Sequence, residues 1–201
     1  MDNDQNKKKS HKGLRELLSI VFIVTAAPLL AVLLTAYVFQ FYQVDGSSME
    51  RTLQNNDRLI VWKLPRTFSK ITGGEHMPDR GDIIVFSKSE LLDTNGKAKQ
   101  LIKRVIALPG ERILIKDGKI TVFNTEHPNG FNPDTNQEFT KNLPEKTSGE
   151  VDEVVPEGQI FVCGDNRSGS LDSRVFGAIP VKDIVGELAF RVLPMSKFDS
   201  Y

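Results

Sequence analysis

The chain has one cysteine, three histidines and one tryptophan in 201 residues. A single cysteine excludes an internal disulfide framework and a Cys-rich zinc site. That residue, Cys163, ends the apolar run Gln159-Ile-Phe-Val-Cys163 and reads as a small buried thiol. His11, His76 and His127 are scattered without metal-ligand spacing, so no metal is expected. Net charge is missing as well, with 26 basic residues against 26 acidic ones. Without a clustered basic excess there is no footprint for nucleic acid. No internal repeat is visible, and beyond Tyr42 no ten-residue amphipathic helix stands out.

Near the N-terminus, by contrast, Leu17 to Tyr42 carries no charged side chain. A helix of about 24 such residues reaches ~36 Å, enough to cross a hydrocarbon core of ~30 Å. Pro28 inside it can kink the helix without forbidding a span. Lys7, Lys8, Lys9, Lys12 and Arg15 precede it and favour a cytoplasmic N-terminus, while Phe39, Phe41 and Tyr42 suit the far interface. A cleaved secretory signal would have a shorter apolar core and a small-residue exit, and Tyr42-Gln43-Val44-Asp45 offers none. The expected organisation is a cytoplasmic basic segment at 1–16, a retained transmembrane helix at 17–41 and an extracytoplasmic domain at 42–201, anchored in a lipid bilayer.

That domain reads as mainly β. Short β-branched runs recur at Arg58–Trp62, Asp82–Phe86, Leu101–Ile106, Ile113–Ile115, Ile120–Phe123 and Gln159–Cys163, separated by Gly-Asp, Pro-Gly, Asp-Gly and Asn-Gly pairs. Asp117-Gly118 marks a hairpin. From about His127 to Glu157 apolar residues thin out, so a loop-rich insertion is expected within about 112–158. Pro65 to Arg80 reads as a shorter polar excursion.

Three stretches have room for chemistry. "DGSSMERTL", Asp45 to Leu53, places Ser47 and Ser48 after Gly46, which permits close backbone approach. A nucleophilic serine needs a base and oxyanion donors, whereas Gly-Ser-Ser is equally ordinary turn material. In "LIKRVIALPGE", Leu101 to Glu111, strand alternation puts Lys103 on the face of Leu101 and Val105 and Arg104 on the opposite one. Desolvation there lowers a lysine pKa and leaves an amine able to act as a base; the plain alternative is an edge lysine snorkelling to water. "GDNRSGSLDSRVFG", Gly164 to Gly177, alternates Asp165, Arg167, Asp172 and Arg174 with serines and glycines. It is either a charged frame around a site or an Asx turn with surface ion pairs. No histidine accompanies these stretches, so Ser plus Lys is the pairing left.

Taken together, "GSSMERTL", "RGDIIVF", "IKRVIALPGE" and "GDNRSGSLDSRVFG", in that order after an anchor, resemble the type I signal peptidases. The resemblance runs from the anchor to about Pro180. It implies an antiparallel β catalytic core with a variable insertion, Ser48 as nucleophile and Lys103 as general base. It also implies Ser170 as the serine that orients the amine, and Asp165, Arg167, Asp172 and Arg174 as support around the site, beside Gly46 and Met49. The implied substrates are signal-peptide-bearing preproteins, with no metal or organic cofactor. Two departures stand out. Arg51 replaces the usual proline of the Ser-Met box, which frees a normally fixed φ. Gly46 occupies the place where Gram-negative members carry an oxyanion serine, so backbone donors, the Ser48 N–H first, would serve, as in Gram-positive members. A self-cleaving Ser-Lys repressor is disfavoured because a membrane span fills the place of its DNA-binding domain. The remaining alternative is a catalytically silent, membrane-tethered module of the same fold that binds exported chains. The oligomeric state is not legible.

Overall fold

A computed structural model describes residues 2–135 and 146–201. It divides into two units, 1–39 and 40–201. In the first, helix α1 (Asp2–Tyr37) contains the 23-residue stretch Arg15–Tyr37, whose most apolar 18-residue window has mean hydropathy 2.8 and is not buried by protein. At ~1.5 Å per residue it is long enough to cross a bilayer. The helix stops short of the expected boundary at residue 41. Phe39–Gln43 forms strand β1 instead, because its alternating Phe39, Phe41 and Gln40, Tyr42 suit a pleated ribbon beside β2 (Arg58–Trp62).

The 40–201 unit is built of antiparallel β-structure, as its β-branched runs predict. After β2 comes a nine-residue helix, α2 (Leu64–Thr72), inside what the sequence suggested was a polar excursion. Pro65 in its first turn and Gly73 closing it at φ 76° bound an element too short to show a long periodicity. Strands β3 (Ile83–Leu92) and β4 (Ala98–Ala107) pair next, with Ile84 opposite Lys103. The hairpin β5 (Arg112–Lys116) and β6 (Lys119–Phe123) turns on Asp117-Gly118, both at positive φ, as a two-residue loop demands. β7 (Val151–Val154) adds to β5, giving the order β6-β5-β7. This small sheet occupies the segment expected to be a loop-rich insertion; part of that expectation, 136–145, lies outside the described residues.

The chain then returns as β8 (Gln159–Cys163), the one-turn helix α3 (Ser173–Phe176), β9 (Ile179–Pro180), β10 (Ile184–Leu193) and β11 (Asp199–Ser200). The larger sheet runs β1-β2-β10-β3-β4-β8-β9, with β11 against β10. The last long strand therefore sits between two strands made early. Cores form on either side of β4 and β8. Ile84, Phe86, Val105, Ile160 and Val162 pack in one, and Ile106, Ile113, Ile120, Phe161 and Cys163 in another. Cys163 is buried, and that burial pushes its thiol up in pKa, consistent with an inert packing role.

Candidate active site

The stretch that carries Ser48 is held from both ends. Gly46 takes φ 101°, where a β-carbon would be strained, and its N–H donates to Asn55 Oδ1 at 3.0 Å. Beyond Ser48, the Glu50 N–H closes a turn on the Ser47 carbonyl and the Leu53 N–H one on the Met49 carbonyl. Met49 and Leu53 are buried with Val44, Leu59 and Leu188, so the turn is nailed to the core through its apolar side chains. Arg51, in the usual proline position, adopts φ 93°. Proline is locked near −65°, so this backbone path and the usual proline exclude one another. The departure is therefore a different turn geometry rather than a loosened one.

Opposite Ser48, β4 presents Lys103, only 2% exposed. Its Nζ donates to Ser48 Oγ at 2.7 Å and to the Ile102 carbonyl at 2.8 Å. Burial lowers its pKa from the ordinary 10.5 to about 8, with Asp172 and Asp165 pulling weakly the other way. Once the amine loses its proton the hydrogen bond can reverse, with the Ser48 hydroxyl donating to Nζ. The pair is then a hydroxyl poised against an uncharged base. The Ser48 N–H donates to no group among the described residues.

The Gly164–Gly177 loop frames this pair. Asp165, fully buried, accepts from Arg104 Nε at 2.9 Å and Nη2 at 2.7 Å, and from the Thr52 hydroxyl at 2.5 Å. Asp172 caps α3, accepts the Gly164 N–H at 2.9 Å, and takes Arg174 Nε at 2.8 Å and Nη2 at 2.7 Å. Those donors hold the Asp172 carboxyl below its usual range even though burial raises it. Arg167 Nε donates to the Gly164 carbonyl, while its Nη atoms reach Thr147 and Asp134. The loop is thus a buried charge frame, not an exposed turn.

Ser170 is placed differently from the expected orienting contact. Its Oγ is buried with no hydrogen-bond partner of good geometry among the described residues, and lies near the Asp172 carboxylate. The orienting acceptor on Nζ is the Ile102 carbonyl instead. Ser170 packs so closely on Gly164 that a β-carbon there would meet its Oγ at 2.2 Å and the Ser48 carbonyl at 2.4 Å. Gly164 is therefore required for the loop to approach Ser48. Reading the sequence missed Asn166, whose N–H donates to the Ser48 carbonyl and whose Nδ2 donates to that of Ser47, at 3.0 and 3.1 Å. Thr52, Arg104 and Asp134 were missed too. Their partners are distant in the chain, and no local pattern marks them.

A hydroxyl hydrogen-bonded to a buried amine with a lowered pKa, on a β scaffold, has the chemical layout of a serine hydrolase that uses lysine in place of histidine. The family model for signal peptidase, peptidase S26, matches residues 15–193. The chain is 36% identical over 178 residues to the probable signal peptidase I-1 of Synechocystis sp., covering 88% of this chain and 82% of that one. It is 35% identical to the signal peptidase I of Bacillus caldolyticus over 199 residues, 96% and 97% of the two chains. To that of Bacillus licheniformis it is 31% identical over 193 residues, 95% and 96% of each. The chain belongs to the signal peptidase family, peptidase S26, a family of serine endopeptidases.

Proposed function

We propose that this chain is a membrane-anchored endopeptidase that removes N-terminal signal peptides from exported preproteins, with Ser48 as nucleophile and Lys103 as general base. The observation that carries the reading is the 2.7 Å contact between Lys103 Nζ and Ser48 Oγ, made by an amine that is almost wholly buried. Neutral Lys103 takes the Ser48 proton as Oγ bonds to the scissile carbonyl carbon. The same proton passes to the leaving amine as the C–N bond breaks, leaving an ester on Ser48. Lys103 then deprotonates the water that hydrolyses that ester. The Ser48 N–H serves as an oxyanion donor. Asp165, Arg167, Asp172 and Arg174 hold the frame, Gly46 and Met49 hold the turn, the Ile102 carbonyl orients the amine, and Ser170 packs against Gly164 beside the pair.

In this reading α1 spans the bilayer with its basic segment in the cytoplasm, and the domain meets its substrates outside. Full-length protein is given a preprotein with an Ala-x-Ala site. The wild type is expected to cleave it, and Ser48→Ala and Lys103→Ala are each expected to lose cleavage. Processing that survives both substitutions sinks the assignment, and a wild type inert in trans returns the chain to a silent binding module.

A further inference from the structure

Arg51 stands in a conformation that needs outside support. At φ 93° its β-carbon crowds the backbone, and a residue so placed persists only where its surroundings fix the chain on both sides. Before it, the Glu50 N–H closes on the Ser47 carbonyl. After it, Thr52 is fastened at each of its polar groups. The Thr52 N–H donates to the Met49 carbonyl at 3.1 Å, and its hydroxyl meets Asp165 and Arg104. Its carbonyl accepts Arg191 Nη1 at 2.6 Å, from 139 residues further along the chain.

The pairing of β10 with β2 is shaped around that last contact. Its register slips twice, between Leu188 and Phe190 and again between Arg191 and Leu193, so Phe190 and Arg191 are bracketed by irregularities. Such bulges re-aim the side chains beside them. The Arg191 side chain, only 11% exposed, is gripped as it reaches the turn. Its Nε donates to the Lys197 carbonyl at 2.7 Å, with Asp57 Oδ2 at 3.6 Å and Asp199 Oδ2 at 3.8 Å. Asp57 belongs to the far end of the turn, where it accepts the Gln54 N–H at 2.9 Å. Lys197 Nζ adds a bond to Gln54 Oε1 at 2.6 Å. One planar fork thus serves two carbonyls and two carboxylates, which a single ammonium cannot do. Among the described residues no hydrogen bond joins Arg191 to Ser48 or Lys103, so its hold on the pair runs through the turn.

We propose that Arg191 is a positioning residue of the active site: by fixing the Thr52 carbonyl it holds Arg51 at its left-handed φ, and so sets where the Ser48 hydroxyl stands. This rests on the reading of Ser48 as the nucleophile. It assigns to the segment from β10 to β11 the support that the usual proline would give from within the turn.

The full chain is assayed for kcat and KM on a preprotein, and its amide exchange is read on the peptides spanning 46–53 and 98–107. Arg191→Met, of similar length but without donors, is expected to lower kcat about tenfold or more and leave KM within about twofold. Exchange should quicken at 46–53 and stay as in the wild type at 98–107. Glycine reaches positive φ without a β-carbon, so adding Arg51→Gly should return most of the lost kcat. A residue that only stabilised β10 would gain nothing from a change at position 51. Arg191→Lys keeps the charge facing Asp57 and Asp199 without the fork, and it should move both readouts the same way by less. Wild-type kcat in both Arg191 variants overturns the proposal, as does a loss that Arg51→Gly does not reduce or one confined to KM. Exchange that rises equally in the two peptides, or failure of all three chains to fold, makes Arg191 a residue of the fold alone and overturns it too. Cleavage that survives Ser48→Ala, or a wild type inert in trans, counts against Ser48 as nucleophile, and the exchange comparison then decides the hold on the turn.

Discussion

Lys103 and Arg104 are neighbours on β4, both cationic and both withdrawn from water, at 2% and 6% exposure, and they are treated in opposite ways. Arg104 is given a bidentate carboxylate, the Gly81 carbonyl at 2.7 Å and the Thr52 hydroxyl. Lys103 is given a hydroxyl and a carbonyl, and no ion pair among the described residues. The strand alternates, so one step along it changes face and thereby the supply of counter-charge. A buried cation with its counter-ion is structural. A buried cation denied one is pushed toward neutrality, and so becomes a base.

The severest way to break the comparison is to make the two residues alike. Lys103→Arg puts beside Ser48 a cation that cannot shed its proton. Preprotein processing should fall about 10⁴-fold or more, as losses of a serine hydrolase base do, and a small loss in a cleavage time course would contradict the assignment. Removing the counter-ion on the other face comes next. Asp165→Asn leaves Arg104 buried and uncompensated and should lower stability by about 3–5 kcal/mol in denaturant unfolding. A change within the scatter of surface substitutions would mean that water reaches Arg104.

Lys103→Met tests the same contrast with the opposite sign. For a base whose folded pKa is lowered, the unfolded chain binds more protons between about 8 and 10.5. Its penalty on the fold is thus fully present below about 8 and fades as pH rises to 10.5. The methionine variant should unfold at higher denaturant than wild type at neutral pH, by up to roughly 3 kcal/mol, and the two should converge in strong alkali. Identical curves at all pH values would show an amine that is not desolvated. The smallest effect concerns the residual pull on the amine. In the wild type kcat/KM should rise with pH through an apparent pKa of about 8. Asp172→Asn, by removing a negative charge that favours the ammonium, should move that limb to lower pH. A limb near 10.5, or a shift upward, would reverse the electrostatic account.

Much of this was legible in the sequence because it is local. The β-branched runs of β2 to β6 and β8 mark themselves by composition, and Asp117-Gly118 marks its own turn. The stretches around Ser48, Lys103 and Asp165 are short and dense enough in unusual residues to be noticed. What escaped was set by distant partners or masked by neighbours. β1 escaped because Phe39–Gln43 continues the uncharged run of α1. β10 did not stand out because Gly186, Glu187 and Arg191 interrupt its apolar alternation; yet Gly186 is where the Trp62 carbonyl presses closest, at 2.4 Å from a β-carbon that is not there. α2 escaped because a nine-residue helix with Leu64, Phe68 and Ile71 exposed looks like a polar loop holding stray hydrophobics. Asn166 and Asp134 escaped because nothing in their own sequence neighbourhood announces Ser47, Ser48 or Arg167.

The position of β10 has a consequence in time as well as in space. The segment bearing Ser48 leads into β2, and Lys103 lies on β4, paired to β3. No ladder joins β2 to β3 until the strand ending at Leu193 slides between them. The clasps that then hold the serine turn, Thr52 to Asp165 and Asn166 to Ser47, close over 113 and 119 residues of chain. Contacts so far apart in sequence form late, because the loop between them must be closed first. A chain still emerging from synthesis therefore has its hydroxyl and its amine long before it has the ladder that sets them 2.7 Å apart. The proposed Ser48–Lys103 pairing thus arrives with the last long strand, which separates the making of the chain from its first opportunity to cut.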